Sequence, residues 1–127
     1  MIYLDTSVAL AQLLAEDVQP PEWLWSEPLA SSRLLQYEVW TRLNVRRLAA
    51  SHAEAAHDLL GRVAFLELSP SVLARALEPF PLPLRTLDAL HLASLEYLRQ
   101  SIPGVRLAAY DGRLRDGATR LGVTMAL

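Results

Sequence analysis

Four carboxylates stand where an α/β chain would bring them together: Asp5, Glu38, Asp88 and Asp111. Asp5 closes the strand-like Ile2-Tyr3-Leu4. Asp111 closes Arg106-Leu107-Ala108-Ala109-Tyr110. Asp88 opens a helix-like run from Thr86 to Ala93, and Glu38 lies inside Leu34 to Trp40. All four have apolar neighbours, where an unpaired charge is costly. Converging carboxylates repel unless something positive lies between them, and a hard divalent cation is the usual solution. A donor set made only of oxygens suits Mg²⁺ or Mn²⁺.

Each acid also has a simpler role. Asp5 and Asp111 can cap the helices that follow them. Asp88 can complement a helix dipole, and Glu38 can pair with Arg42 at i,i+4. Taken singly, the simpler role is preferred for each; taken together, the four make a candidate metal site. His91 follows Asp88 by three residues and can share its face. A packed core histidine, hydrogen-bonded nearby, is preferred over a ligand or base. Arg42, Arg46 and Arg47 form a stripe beside Glu38, for which solvated helix charges are the default. Trp23, Trp25 and Trp40 read as core or partner-binding residues rather than a base-stacking platform.

The elements that must position these groups follow from periodicity and punctuation. Residues 2–5 read as a buried strand, followed from Ser7 by a helical pattern with Val8, Ala11 and Leu14. Pro20-Pro21 suits the first turn of a short second helix. Residues 29–32 read as a brief strand and 33–49 as one long helix. Ser51-His52-Ala53-Glu54 has a capping-box pattern opening a helix that ends near Gly61. Residues 63–68 read as a strand, and Ser69-Pro70 opens another helix. Pro79, Pro81 and Pro83 forbid regular structure. Thr86 is placed as the cap of a strong helix running to about Gln100. Residues 107–110 form a strand, Leu114, Ala118 and Leu121 mark a helix stopped at Gly122, and residues 123–127 close as a final strand. Strands alternating with helices imply a parallel sheet covered on both faces. In such a sheet, ligands bind beyond the carboxyl ends of the strands.

Composition narrows the chemistry. The chain has 127 residues and is 52% hydrophobic, enough for one domain with a real core. No apolar run is long enough for a membrane span, and no signal peptide is read, so a cytoplasmic protein is expected. The absence of cysteine removes thiolate and disulfide chemistry. All 12 basic residues are arginine. Without lysine, a Walker-type phosphate loop, Schiff-base chemistry and protein-kinase catalysis are excluded in their standard forms. The formal net charge is −2; setting the four candidate ligands aside leaves 12 basic against 14 − 4 = 10 acidic residues. Overall charge therefore neither favours nor rejects a polyanionic substrate.

Together these segments resemble PIN-domain ribonucleases, in particular the VapC toxins of toxin–antitoxin pairs. Ile2-Tyr3-Leu4-Asp5-Thr6-Ser7 resembles their opening and Tyr37-Glu38-Val39-Trp40-Thr41-Arg42 their glutamate helix. Arg85-Thr86-Leu87-Asp88-Ala89-Leu90-His91-Leu92-Ala93 is similar to their most recognisable segment. Ala109-Tyr110-Asp111-Gly112-Arg113-Leu114 is similar to their last acidic motif. The resemblance spans nearly all of residues 1–127, as a single PIN-like domain. It implies a three-layer α/β/α sandwich around a central, mainly parallel sheet. It also implies a metal-dependent endoribonuclease, a homodimer and a cognate VapB-like antitoxin. Asp5, Glu38, Asp88 and Asp111 would be the catalytic residues and would hold Mg²⁺ or Mn²⁺, with Thr6 or Ser7 supporting Asp5. Products would carry a 5′-phosphate and a 3′-hydroxyl. One departure stands out: many relatives carry Thr or Ser two residues before the last acid, where this chain has Ala109.

The expected reaction is hydrolysis of an RNA phosphodiester, with Asp88 or Asp5 orienting or deprotonating the water. Arg42, Arg46, Arg113 and Arg115 are the candidates for backbone phosphate contacts. A phosphatase of the haloacid-dehalogenase kind needs a second Asp where this chain has Ser7, and a lysine it lacks. The non-enzyme alternative is a PIN-like fold kept as a catalytically weak module that binds RNA or a protein partner.

Overall fold

A computed structural model describes residues 1–127. Four strands, β1 (Ile2–Leu4), β2 (Leu29–Ser32), β3 (Val63–Leu66) and β4 (Arg106–Ala108), form one sheet in the order β3-β2-β1-β4. Every strand pair is parallel, with Tyr3 opposite both Ala30 and Leu107. Six helices cover it: α1 (Thr6–Leu13), α2 (Leu34–Val45), α3 (Ala49–Leu60), α4 (Pro70–Ala76), α5 (Thr86–Ser101) and α6 (Gly112–Arg120).

Strand alternation divides the core in two. Ile2 and Leu4 point to one face and pack with Val8, Leu35, Val39 and Leu59 of α1–α3. Tyr3 and Leu107 point to the other, against Leu92 and Leu95 of α5 and Leu114 and Ala118 of α6. This is the α/β/α sandwich. The chain builds outward from β1 through β2 to β3, then crosses back to add β4 on the other side of β1. Crossovers of one hand place the helices of the outward and return paths on opposite faces. The reversal makes the carboxyl end of β1 and β4 the topological switch point, where a crevice opens. Gly117 lets α6 approach α5: a Cβ there would meet Leu92 Cδ2 at 3.0 Å.

Several expected boundaries move. The helix expected over 33–49 ends at Val45, because Arg47 takes a left-handed φ of 58°. Arg47 N–H donates to Asn44 O and Leu48 N–H to Leu43 O, a Schellman closure whose apolar residues Leu43 and Leu48 both pack into the core on the α1–α3 side. Consequently α3 opens at Ala49, and the Ser51-to-Glu54 capping box does not form; Ser51 lies inside the helix and donates to Leu48 O. Thr86 is not a cap: Arg85 occupies that position without a side-chain bond, and Thr86 is the first helical residue. The final strand reduces to one bridge, Leu107 with Met125. Ser69 does cap α4, accepting from Val72 N–H at 3.4 Å, with Pro70 in the first turn. No helix is long and apolar enough to cross a membrane.

Candidate active site

Asp5 and Asp111 follow the two strands that flank the switch point, β1 and β4, and each caps the next helix. Asp5 is 6% exposed. Its Oδ2 accepts from Ser7 N–H at 3.1 Å and from Ser7 O–H at 2.5 Å. Ser7 Oγ in turn accepts from Tyr110 N–H at 2.9 Å, so one hydroxyl ties Asp5 to the end of β4. Asp111 lies open to solvent, and its Oδ1 accepts from Leu114 N–H at 2.9 Å. Capping occupies one oxygen of each acid and leaves the other without a protein partner.

Glu38, one turn into α2, reaches back over α1. Its Oε1 accepts from Thr6 O–H at 2.9 Å and lies 2.5 Å from His91 Nε2. The pairing of Glu38 with Arg42 is replaced by these two contacts. Thr6 therefore supports Glu38, while Ser7 supports Asp5. Asp88, in the first turn of α5, is half-buried, and its carboxylate has no hydrogen bond within the protein.

The four acids share one electrostatic field. Burial, above all, pushes the Asp5 carboxyl above its ordinary range; His91 and the two Ser7 bonds pull it down, and Glu38 pushes it up. Asp88 is raised first by burial and then by Asp111, Asp5 and Glu38. No arginine pairs with any of the four: the ion pairs are Arg33–Glu67, Arg75–Glu96 and His91–Glu38. The side chains do not close on a single point, since no three Asp, Glu or His groups lie close enough to ligate one ion. Glu38 is turned toward Thr6 and His91, and Asp111 toward its own helix. The donor set nonetheless fits a hard divalent cation in kind: oxygens only, one free oxygen each on Asp5, Glu38 and Asp111, and two on Asp88.

His91 is a core histidine, 2% exposed and hydrogen-bonded, as its sequence context suggests. Its partners were not legible: Nε2 meets Glu38, and Nδ1 lies 2.8 Å from the Tyr3 hydroxyl. Burial pushes the ring's pKa down, but the Glu38 hydrogen bond and the charges of Asp5, Glu38 and Asp88 outweigh it, and the net shift is upward. The one signal for Tyr3 in the sequence was strand alternation, which puts it on the α5 side of the sheet.

An open cleft of ≈ 810 Å³ adjoins the crevice; its lining includes Ser7, Tyr110 and Asp111, the exposed Arg42 and Arg46, and the acidic Glu16 and Asp17. Arg113 is exposed in the first turn of α6. Arg115 is engaged elsewhere: its guanidinium donates to the carbonyls of Ala109 (2.8 Å) and Leu127. Ala109 is fully buried, packed with Tyr3 and Leu114 on the α5–α6 side of the sheet.

A parallel sheet with acids at its switch point defines the class. The PIN domain family model matches residues 2–118, and the chain belongs to that family. Within it the chain is of the VapC ribonuclease type. It is 33% identical to Ribonuclease VapC47 of Mycobacterium tuberculosis, covering 99% of this chain and 96% of that protein. Ribonuclease VapC46 of the same species is 35% identical over 98% of this chain and 95% of its own length. The fold matches the crystal structure of Mycobacterium tuberculosis VapC20, a sarcin-ricin loop cleaving toxin. The TM-score is 0.69 at 24% identity, covering 91% of this chain and 94% of that one.

Proposed function

We propose that this chain is a Mg²⁺- or Mn²⁺-dependent endoribonuclease, the toxin of a type II toxin–antitoxin pair. One observation carries the reading: Asp5, Glu38, Asp88 and Asp111 lie in one another's electrostatic field at the switch point, with no arginine neutralising them. The family membership and the ribonuclease relatives support it.

Asp5, Glu38, Asp88 and Asp111 would hold the cation, with Asp88 and Asp111 turning inward to complete the set. Bound there, a divalent ion polarises the phosphate and lowers the pKa of a water. Ser7 fixes Asp5 through two hydrogen bonds, and Thr6 with His91 fixes Glu38. Asp88, whose two oxygens are free of protein bonds, would orient or deprotonate the attacking water. Arg42, Arg46 and Arg113 hold backbone phosphates, which positions RNA without reading its sequence. Arg115 leaves that set because its donors serve the backbone. The VapC relatives support a VapB-like antitoxin as protein partner, and a homodimer is proposed as the working form.

A weaker-catalyst reading draws on Ala109, which supplies no hydroxyl beside Asp111. One experiment separates the two. Purified protein, free of antitoxin, is incubated with structured RNAs and Mg²⁺ or Mn²⁺, beside Asp5→Asn and Asp88→Asn variants and a chelator control. Cutting abolished by both variants and by the chelator supports the enzyme. Cutting that persists in both variants rejects the site, and binding without cutting favours the module.

A further inference from the structure

The phenol of Tyr3 is wholly buried and makes two hydrogen bonds. Ser32 N–H donates to its oxygen at 3.1 Å, and His91 Nδ1 lies 2.8 Å away. The nearby hydroxyls of Ser31 and Ser94 donate elsewhere, to Leu4 O and Leu90 O, each at 2.7 Å, so neither donates to the phenol. A buried O–H left without an acceptor is costly. The phenol already accepts from Ser32, so in the neutral ring its own proton goes to Nδ1, the acceptor within hydrogen-bond reach, and that nitrogen is bare. The imidazole proton then sits on Nε2, 2.5 Å from Glu38 Oε1, which can only accept. Thr6 O–H donates to the same oxygen at 2.9 Å.

We propose that Tyr3 and His91 form a directional relay that locks the histidine tautomer and so aims Glu38, making both positioning residues for the metal site. The inference rests on the metal-dependent reading above and goes beyond it. A rigid bond on Oε1 leaves Oε2 as the oxygen offered to a cation. The buried sheet therefore fixes the rotamer of a residue on α2, across the crevice from the strand ends. Without Tyr3 the ring can present a bare Nε2 to the carboxylate, two acceptors face each other, and Glu38 swings away. The relay spans three elements, β1, α5 and α2, and its outer partners matter as hydrogen-bonded supports of metal ligands generally do.

Two measurements test it. The ¹⁵N spectrum of the unaltered protein, without metal, taken at a pH above the His91 titration where the ring is neutral, should show Nε2 protonated and Nδ1 bare. A ring protonated at Nδ1 overturns the relay. Mn²⁺ affinity is then measured by electron paramagnetic resonance for the unaltered protein and three variants, with thermal unfolding in chelator confirming that each is folded. Tyr3→Phe and His91→Leu should weaken Mn²⁺ binding by roughly 10- to 100-fold. His91→Gln, which returns a donor at the Nε2 position, should restore most of it. Mn²⁺ affinity unchanged in folded Tyr3→Phe and His91→Leu overturns the relay and leaves the metal site standing. No Mn²⁺ binding by the unaltered protein overturns the metal reading itself, and the relay with it.

Discussion

Asp5 and Asp111 do the same local work, each ending a strand and capping the next helix, yet their surroundings differ sharply. Asp5 is 6% exposed and held by the backbone and side chain of Ser7, which is itself anchored to Tyr110. Asp111 is open to water, with a single bond to Leu114 N–H. Glu38 belongs with Asp5, fixed by Thr6 and His91; Asp88 belongs with Asp111, without any protein bond. The crevice thus has a rigid wall and a lightly held one. The rigid wall keeps two carboxylates in place against their own desolvation and repulsion. The other can adjust as a cation and a phosphate arrive.

The strongest way to break this comparison is at its rigid end. Asp5→Asn should lower RNA cutting by more than about 100-fold, beyond the usual loss for an outer-shell partner. It should leave the metal-free protein as stable or more so, because Asn caps as well as Asp and carries no buried charge. Activity and thermal unfolding in chelator check the two halves of that statement. Asp111→Asn should cost less activity than Asp5→Asn; an equal loss would erase the distinction between the walls.

Next comes the support. Ser7→Ala removes the hydroxyl between Asp5 and Tyr110 and should destabilise the fold by about 1–3 kcal/mol, measured by urea unfolding. Cutting should fall by roughly 10- to 100-fold.

Acidity sharpens the contrast in a further way. The Asp5 and Asp88 carboxyls are raised in the folded protein. The native state therefore binds more protons than the unfolded chain between the ordinary aspartate value and the raised ones, and stability falls as pH rises through that window. Metal-free protein should unfold at a higher temperature in mild acid than at neutral pH, as long as the pH stays above general acid denaturation. Added Mn²⁺ should reverse the trend by favouring the ionised acids, and a calorimetric series at several pH values reads both effects.

The smallest effect concerns the arginines. Arg42→Ala and Arg46→Ala should weaken RNA binding across sequences. Each should also flatten its salt dependence, because a phosphate that no arginine neutralises keeps its counterion. Arg115→Ala should lower the unfolding temperature and leave the salt dependence alone.

Helix ends show why some boundaries were legible and others not. Three helices are followed by a left-handed residue, Ala15, Arg47 and Gly122, and at Arg47 and Gly122 the same pair of backbone bonds closes the helix. The glycine announced its stop. Arg47 did not, because an arginine has no intrinsic preference for that conformation; Leu43 and Leu48 on either side of the turn pack into the core there. Likewise Ser51 and Glu54 matched a capping box, but the turn at Arg47 moved the cap of α3 three residues earlier, to Leu48, and placed the serine inside the helix.

The sequence by itself determined the alternation of strands and helices, the apolar faces, the family and the identity of four acids, because hydrophobic period and strand-end position are local properties. The tertiary structure alone decided which acids are buried, that Ser7 serves Asp5 while Thr6 serves Glu38, that Arg115 binds backbone, and that Tyr3 and His91 stand behind Glu38. Those outcomes depend on hydrogen-bond direction and desolvation between residues as many as 103 positions apart, as in Ser7 with Tyr110. No local pattern encodes such distances; the sheet's switch point brings them together.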